Sequence, residues 1–291
     1  MNNLFSVNKL SKFYNRNKVL DIDQLNLNSG QFTILLGKNG SGKSTLMRLL
    51  AQQELFDGGN ILFCGESLAS PKVEMNFDMV FVSEGMEFPF SISLFDWAET
   101  YGHLYSKYDQ NIFISLMQSF EINVKKKFAT LSRGQKMKAL FCLEAAKRPR
   151  IYFLDEITAV LDSGSRWVLM EFLREEVRRG CLVLMSTNIA NEVQGFASDV
   201  IFLQEGKVIY QSPCEVFKTQ FRKVRVASYV EDQTLNQLGA RRVSFADNET
   251  WIYLHPRETT PEKAVQGVEE DLRAITIADI QSYFTTSLAD Q

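Results

Sequence analysis

The sequence predicts an α/β fold, and three stretches predict it. Phe32 to Leu36 is an apolar strand that runs into a glycine-rich loop and then into an apolar-periodic helix, Thr45 to Leu50. Ile151 to Asp155 is a second apolar strand, and it closes on two adjacent carboxylates, Asp155 and Glu156. Between them, residues 91 to about 148 change to helical spacing. Apolar strands interleaved with helices make an α/β chain. The expected domains are a larger one over 1–221, with a helical insert at about 91–148, and a small α+β accessory domain over 222–291.

Residues 4 to 36 read as short strands separated by polar turns, with apolar alternation in Leu20-Asp21-Ile22-Asp23 and Leu25-Asn26-Leu27. Tyr14 falls in the first turn region, where a half-buried strand aromatic and a stacking ring are equally good readings. The loop that follows carries the chemistry. Gly37, four residues, then Gly42-Lys43-Ser44 fits G-x-x-x-x-G-K-[ST], between a strand and a helix as the mechanism needs. Glycines at 37, 40 and 42 let the backbone N–H groups of Lys38, Asn39, Ser41 and their neighbours turn inward as an anion nest, and the helix entered at Thr45 aims its positive end at the same point. Lys43 suits the β- and γ-phosphates, and the Ser44 hydroxyl suits Mg2+.

Asn60 to Cys64 and Met79 to Ser83 are further strand candidates. In the insert, Leu94, Trp97, Ala98, Tyr101 and Leu104 recur at helical spacing, as do Ile112, Leu116 and Phe120, so these aromatics read as core. Leu131-Ser132-Arg133-Gly134-Gln135 then heads a helix running to Lys147. Taken singly it is a helix cap. Asp155, at the end of an apolar strand beside a phosphate loop, is placed for the Mg2+ shell, and Glu156 next to it can orient or deprotonate water.

Beyond residue 221 the pattern changes: Val224-Arg225-Val226, Ala240 to Ala246 and Thr250 to Leu254 read as short strands, with Asp247-Asn248 as a hairpin turn. Thr260-Pro261-Glu262 reads as a helix start, and Ile277 to Phe284 as a last helix.

Composition bounds the function. Lys plus Arg number 32 against 35 Asp plus Glu, a net charge of −3, so no bulk positive field holds a nucleic acid, and none is expected as partner. Lys125-Lys126-Lys127 and Arg241-Arg242 read as solvated faces. The four cysteines are scattered with no C-x-x-C pair, which points to reduced thiols in a cytosolic chain. The start, Met-Asn-Asn-Leu-Phe-Ser, lacks a signal-peptide pattern, and no uncharged apolar run approaches the roughly 18 residues of a membrane span.

With these motifs in this order, the sequence resembles the ATP-binding cassette (ABC) ATPases over about residues 4 to 220. Gly37 to Thr45 matches that family's Walker A loop, Leu131 to Gln135 its signature, Ile151 to Asp155 its Walker B strand, and Glu156 its catalytic glutamate. Ala159-Val160-Leu161-Asp162 resembles the D-loop, with Val160 where a smaller residue is usual. The resemblance implies a P-loop core with an ABC-type antiparallel β subdomain, ATP and Mg2+ as ligands, and Tyr14 as the adenine-stacking ring. It also implies a head-to-tail dimer, most simply a homodimer, in which Ser132, Gly134, Gln135 and Asp162 of one copy close over the ATP of the other. The implied partner is a separate integral membrane permease, with the cassette peripheral on the cytoplasmic face. Weak likeness of 222–291 to exporter-class extensions points to export.

Two positions depart from the family's pattern. Glu84 stands where a glutamine is usual and could ligate Mg2+ directly or through water, and Asn188 stands where the switch histidine is usual. The only histidines, His103 and His255, lie elsewhere and read as surface or core residues. Intact Glu156 with Asn188 implies ATP binding with slowed hydrolysis. Two alternatives stay open, a nucleotide-sensing regulator with little turnover and a soluble ABC ATPase unlinked to transport.

Overall fold

The computed structural model describes residues 3–69, 78–83, 92–187 and 195–216, and the backbone of four further strands within 222–270. Glu84, Asn188, Asp247-Asn248, His255 and the helices expected from Thr260 and over 277–284 lie outside the described residues. The chain divides into two compact units, 1–188 with 203–209, and 189–202 with 210–291.

The first unit opens with β1 (Asn3–Tyr14) and β2 (Asn17–Asn28), an antiparallel hairpin closed at Asn15, whose φ is 57°. Short strands were expected here, and the hairpin corrects that. Leu4, Phe5, Val7, Leu10, Leu20, Ile22, Leu25 and Leu27 are buried, while Asn8, Lys9, Asp23 and Gln24 are exposed. The polar residues that read as turns form the solvent face of two long strands, as the two-residue period of a pleated sheet requires. β3 (Phe32–Leu36) follows and leads through the glycine loop into α1 (Lys43–Leu50). β4 (Gly58–Phe63) and β5 (Glu66–Ser67) complete an antiparallel sheet in the order β2-β1-β4-β5.

β6 (Met79–Ser83) returns to the parallel sheet. The insert comprises α2 (Leu94–Gly102), α3 (Gln110–Ser119) and α4 (Arg133–Ala145). Leu94, Trp97 and Ala98 are buried as expected, but Leu104 is 68% exposed because α2 stops at Gly102 before it can return to the apolar face. On α3 the buried stripe is Phe113, Leu116, Met117 and Phe120, with Ile112 only half-buried. His103 and Lys125-Lys126-Lys127 are exposed.

β7 (Ile151–Asp155), α5 (Ser163–Arg178) and β8 (Leu182–Ser186) close the core, where β3, β8, β7 and β6 lie side by side in that order, all parallel. Every residue of β3, β7 and β8 is buried, so the apolar runs are explained by cover on both faces. Each buried Val, Leu, Ile, Phe or Met among them contributes about 1.5–3 kcal/mol. The loop after β3, the carboxylates after β7 and the end of β8 therefore emerge together at the carboxyl edge of one sheet. Two further strands are β9 (Asp199–Gln204) and β10 (Lys207–Pro213), and Leu203 to Ile209 join this unit.

The second unit holds an antiparallel sheet of β11 (Arg222–Val226), β12 (Ala240–Ser244), β13 (Thr250–Leu254) and β14 (Val268–Glu270), ordered β12-β13-β11-β14. The first three match expected strands; β14 lies in a stretch from which only helix was expected. All four cysteines are free thiols, and only Cys64 is exposed. No helix among the described residues is long and apolar enough to cross a membrane.

Candidate functional site

The glycine loop is shaped by close approach. Gly42 caps α1 with φ at 102°, and a Cβ there would lie 2.6 Å from Leu20 Cδ2. A Cβ on Gly37 would lie 2.3 Å from the Leu203 carbonyl oxygen. Only glycine is tolerated at either. The first N–H groups of α1 have no intrahelical acceptor and face the loop's mouth, which makes an anion cradle. The Ser41 hydroxyl is buried there with no hydrogen-bond partner among the described residues. Lys43 is 4% exposed, and its ammonium donates to the carbonyls of Gly37 (2.8 Å) and Lys38 (3.2 Å). Burial presses this ammonium below the ordinary lysine value, while the charges of Glu156 and Asp155 hold it up. Glu156 Oε1 is 3.8 Å from it.

The two carboxylates are placed by β7 and its neighbour β8. Asp155 is buried at the strand's end, opposite Ser83 on one side and Ser186 on the other. The Ser186 hydroxyl donates to Asp155 Oδ1 at 2.6 Å. Glu156 turns out of the sheet with φ at 53°, a left-handed conformation rare outside glycine, and its amide donates to Ser186 Oγ at 3.0 Å.

An open cleft of about 290 Å3 gathers Asn39, Gly40, Gly42, Lys43, Ser44, Thr45, Asp155 and Glu156, all expected, with Val19, Arg48 and Ser83, which were not. Tyr14 does not line it. Its ring is 39% exposed, its hydroxyl donates to Glu54, and the Lys12 ammonium sits 5.3 Å from the ring centre. Burial, then Glu54, raises its phenol above the usual value. Ser132, Gly134, Gln135 and Asp162 also lie outside the cleft. Ser132 caps α4: Gln135 N–H donates to Ser132 Oγ (3.3 Å) and Ser132 N–H to Gln135 Oε1 (3.2 Å), so the helix-cap reading of this stretch is realised. Asp162 caps α5 through the Ser165 amide and hydroxyl, both at 2.8 Å.

The family model described as ABC transporter matches residues 20–159, from the second strand through both carboxylates. The chain carries an ABC ATPase domain over these residues. The ABC transporter ATP-binding protein YtrB of Bacillus subtilis is 28% identical over 226 residues, 77% of each chain. The aliphatic sulfonates import ATP-binding protein SsuB 2 of Agrobacterium fabrum is 27% identical over 82% of this chain and 91% of its own. Among solved structures, the ATP-binding subunit of an ABC transporter superposes with a TM-score of 0.68 at 22% identity, covering 75% of this chain and 92% of that one. The dimeric bacterial cassette MJ0796 gives 0.65 at 20%, covering 72% and 98%. These likenesses show the ABC cassette fold.

Within that fold, sequence reading missed Ser186, Val19, Arg48 and Ser83. Ser186 left a signal, a hydroxyl closing the apolar run Leu182-Val183-Leu184-Met185. Val19 and Arg48 left none, since they reach the cleft from a strand and a helix whose fixed polar or apolar pattern says nothing about the ligand.

Proposed function

We propose that this ABC ATPase binds ATP with Mg2+, closes head-to-tail on a second copy of itself, and drives a separate integral membrane permease from the cytoplasmic face. The observation that supports it most is the convergence of Lys43, Ser44, Asp155 and Glu156 on one cleft at the mouth of a glycine cradle. The donors fit a hard cation: the Ser44 hydroxyl and the Asp155 carboxylate are oxygens, and Mg2+ held with phosphates needs only one or two protein ligands. When bound, Mg2+ neutralises charge on the phosphates. Lys43 supplies a second point charge, the loop amides hold the phosphate oxygens, and Glu156 orients the attacking water and takes its proton. Ser132, Gly134 and Gln135 stand apart from the cleft of their own chain, which is the arrangement a head-to-tail dimer requires. Residues 222–291 are read as an accessory domain.

Export was expected from the C-terminal region, yet relatives named for import, SsuB 2 and the spermidine/putrescine protein PotA, weigh against that direction. Asn188 supports slow turnover and Glu156 supports turnover itself. The test is threefold. Lys43→Ala should abolish ATP binding by calorimetry. Glu156→Gln should bind normally and run as an ATP-trapped dimer on a sizing column. The wild type should pellet with membranes only when its permease is co-expressed. Unchanged ATP binding by Lys43→Ala would sink the site, and membrane-free behaviour beside every neighbouring membrane protein would favour the regulator.

A further inference from the structure

We propose that Ser186 is the positioning residue of the hydrolytic site, a proposal that rests on the ATPase reading above. β8 is apolar and fully buried from Leu182 to Met185, yet it closes on a hydroxyl that is 0% exposed. A buried hydroxyl is costly unless both its donor and its acceptor are used. Here both are used by the two groups that do the chemistry. Ser186 Oγ donates to Asp155 Oδ1 at 2.6 Å and accepts the Glu156 amide at 3.0 Å, while the Ser186 carbonyl takes the same amide at 3.3 Å. The register places Ser186 opposite Asp155 on one flank and opposite Leu35, two residues before Gly37, on the other. One side chain therefore fixes the angle of the metal-side carboxylate and the left-handed peptide that throws Glu156 out of the sheet, and it does so from the strand bordering the phosphate loop. With Oδ1 tied by Ser186, the remaining lone pairs of Asp155 are presented in one orientation to a cation. The hydrogen bond to Glu156 offsets part of the strain of its backbone.

Groups that orient a metal ligand typically change metal affinity or activity by about 10–100-fold when removed. The experiment compares wild type, Ser186→Ala, which removes the donor, and Ser186→Cys, which keeps side-chain size with a weak donor. ATP affinity is measured by calorimetry in EDTA and in excess Mg2+, kcat by phosphate release, and folding by thermal melting. Ser186→Ala should bind ATP in EDTA within about twofold of wild type, lose at least about fivefold of the affinity that Mg2+ adds, and lose about tenfold in kcat, with Ser186→Cys between. A serine that only completes the strand would lower the melting temperature and leave the Mg2+-dependent gain untouched. Wild-type values of that gain and of kcat in Ser186→Ala, or in Ser186→Cys if the alanine variant does not fold, overturn the proposal. A wild type that binds no ATP sinks the ATPase reading instead; one that binds without hydrolysing leaves the Mg2+-dependent gain to decide the role of Ser186.

Discussion

Gly134, in the stretch that resembles the signature, packs so closely on the turn at 157–160 that a Cβ there would lie 2.8 Å from the carbonyl oxygen of Val160. The obstacle is backbone, which cannot swing aside as a side chain can. Gly134→Ala must therefore push α4 away from the turn at 157–160, at a cost typical of overpacking, about 1–3 kcal/mol. Because the cleft lies elsewhere, monomer affinity for ATP should stay within about twofold while hydrolysis falls at least about tenfold, provided a second copy's signature completes the site. Calorimetry beside steady-state phosphate release checks this. Equal losses in both would show that Gly134 matters to the whole fold rather than to the signature.

The same two elements are joined a second time, by Lys138 Nζ on Asp162 Oδ2 at 2.9 Å. The Ser165 amide first, then Lys138, holds the Asp162 carboxyl well below its ordinary value of 3.8. A depressed carboxylate stabilises the fold above its unfolded value and loses that contribution as pH falls. Asp162 is largely exposed, so its ion pair gives only about 0–1 kcal/mol and its cap about 1 kcal/mol. Asp162→Ala should thus lower stability by about 1 kcal/mol at pH 7, with Asp162→Asn, which keeps a cap acceptor, losing less. The gap between wild type and Asp162→Asn should narrow as pH falls below 3.8. Urea midpoints at pH 7 and at acid pH test the sign; a gap that widens toward acid contradicts the assignment.

How far the sequence could be read depended on whether burial or distant pairing decides the outcome. The strands Phe32–Leu36, Met79–Ser83 and Ile151–Asp155 were legible to the residue, because cover on both faces leaves runs that are almost wholly apolar. The hairpin of β1 and β2 was read as fragments because one face is wet, and polar residues at alternate positions imitate turns. Lys43, Asp155 and Glu156 could be named from motif spacing alone. Ser186 could not, since its importance lies in being opposite Asp155 across two strands far apart in sequence.

Asn188 rests on the sequence and the family pattern. A histidine there could donate to the γ-phosphate and become cationic as charge gathers, whereas asparagine offers a shorter, neutral donor. One lost preorganised donor costs on the order of 3 kcal/mol, roughly a hundredfold in rate. Wild-type turnover should therefore be slow, and Asn188→His should raise kcat at least about tenfold with ATP affinity little changed. Phosphate release at equal nucleotide occupancy decides it; fast wild-type turnover that the substitution fails to raise would mean the site works through asparagine.

The far end of α4 carries a buried ion pair that ties it to α2. Lys147 Nζ lies 2.7 Å from Glu144 Oε2, and both side chains are less than a tenth exposed. The Tyr101 hydroxyl donates to Glu144 Oε1 at 2.7 Å, and the Lys147 ammonium sits 4.8 Å and 4.4 Å from the ring centres of Tyr101 and Tyr105. Burial, then the Glu144 charge, raises the Tyr101 phenol far above its usual value, so it stays a donor at any working pH. The cluster ties the end of α2 to the end of α4. Lys147→Met leaves a buried carboxylate with only one phenol, which should cost about 3–5 kcal/mol. In a chain of this size that lowers Tm by on the order of 10 °C. Since an apolar pair of similar volume often replaces a buried ion pair without loss, Glu144→Leu with Lys147→Met should recover most of the stability that Lys147→Met alone removes. Thermal melts of the two single variants and the double variant give the coupling directly. A double variant less stable than either single one would show that the pair itself, and not the avoidance of an unpaired charge, holds the two helices together.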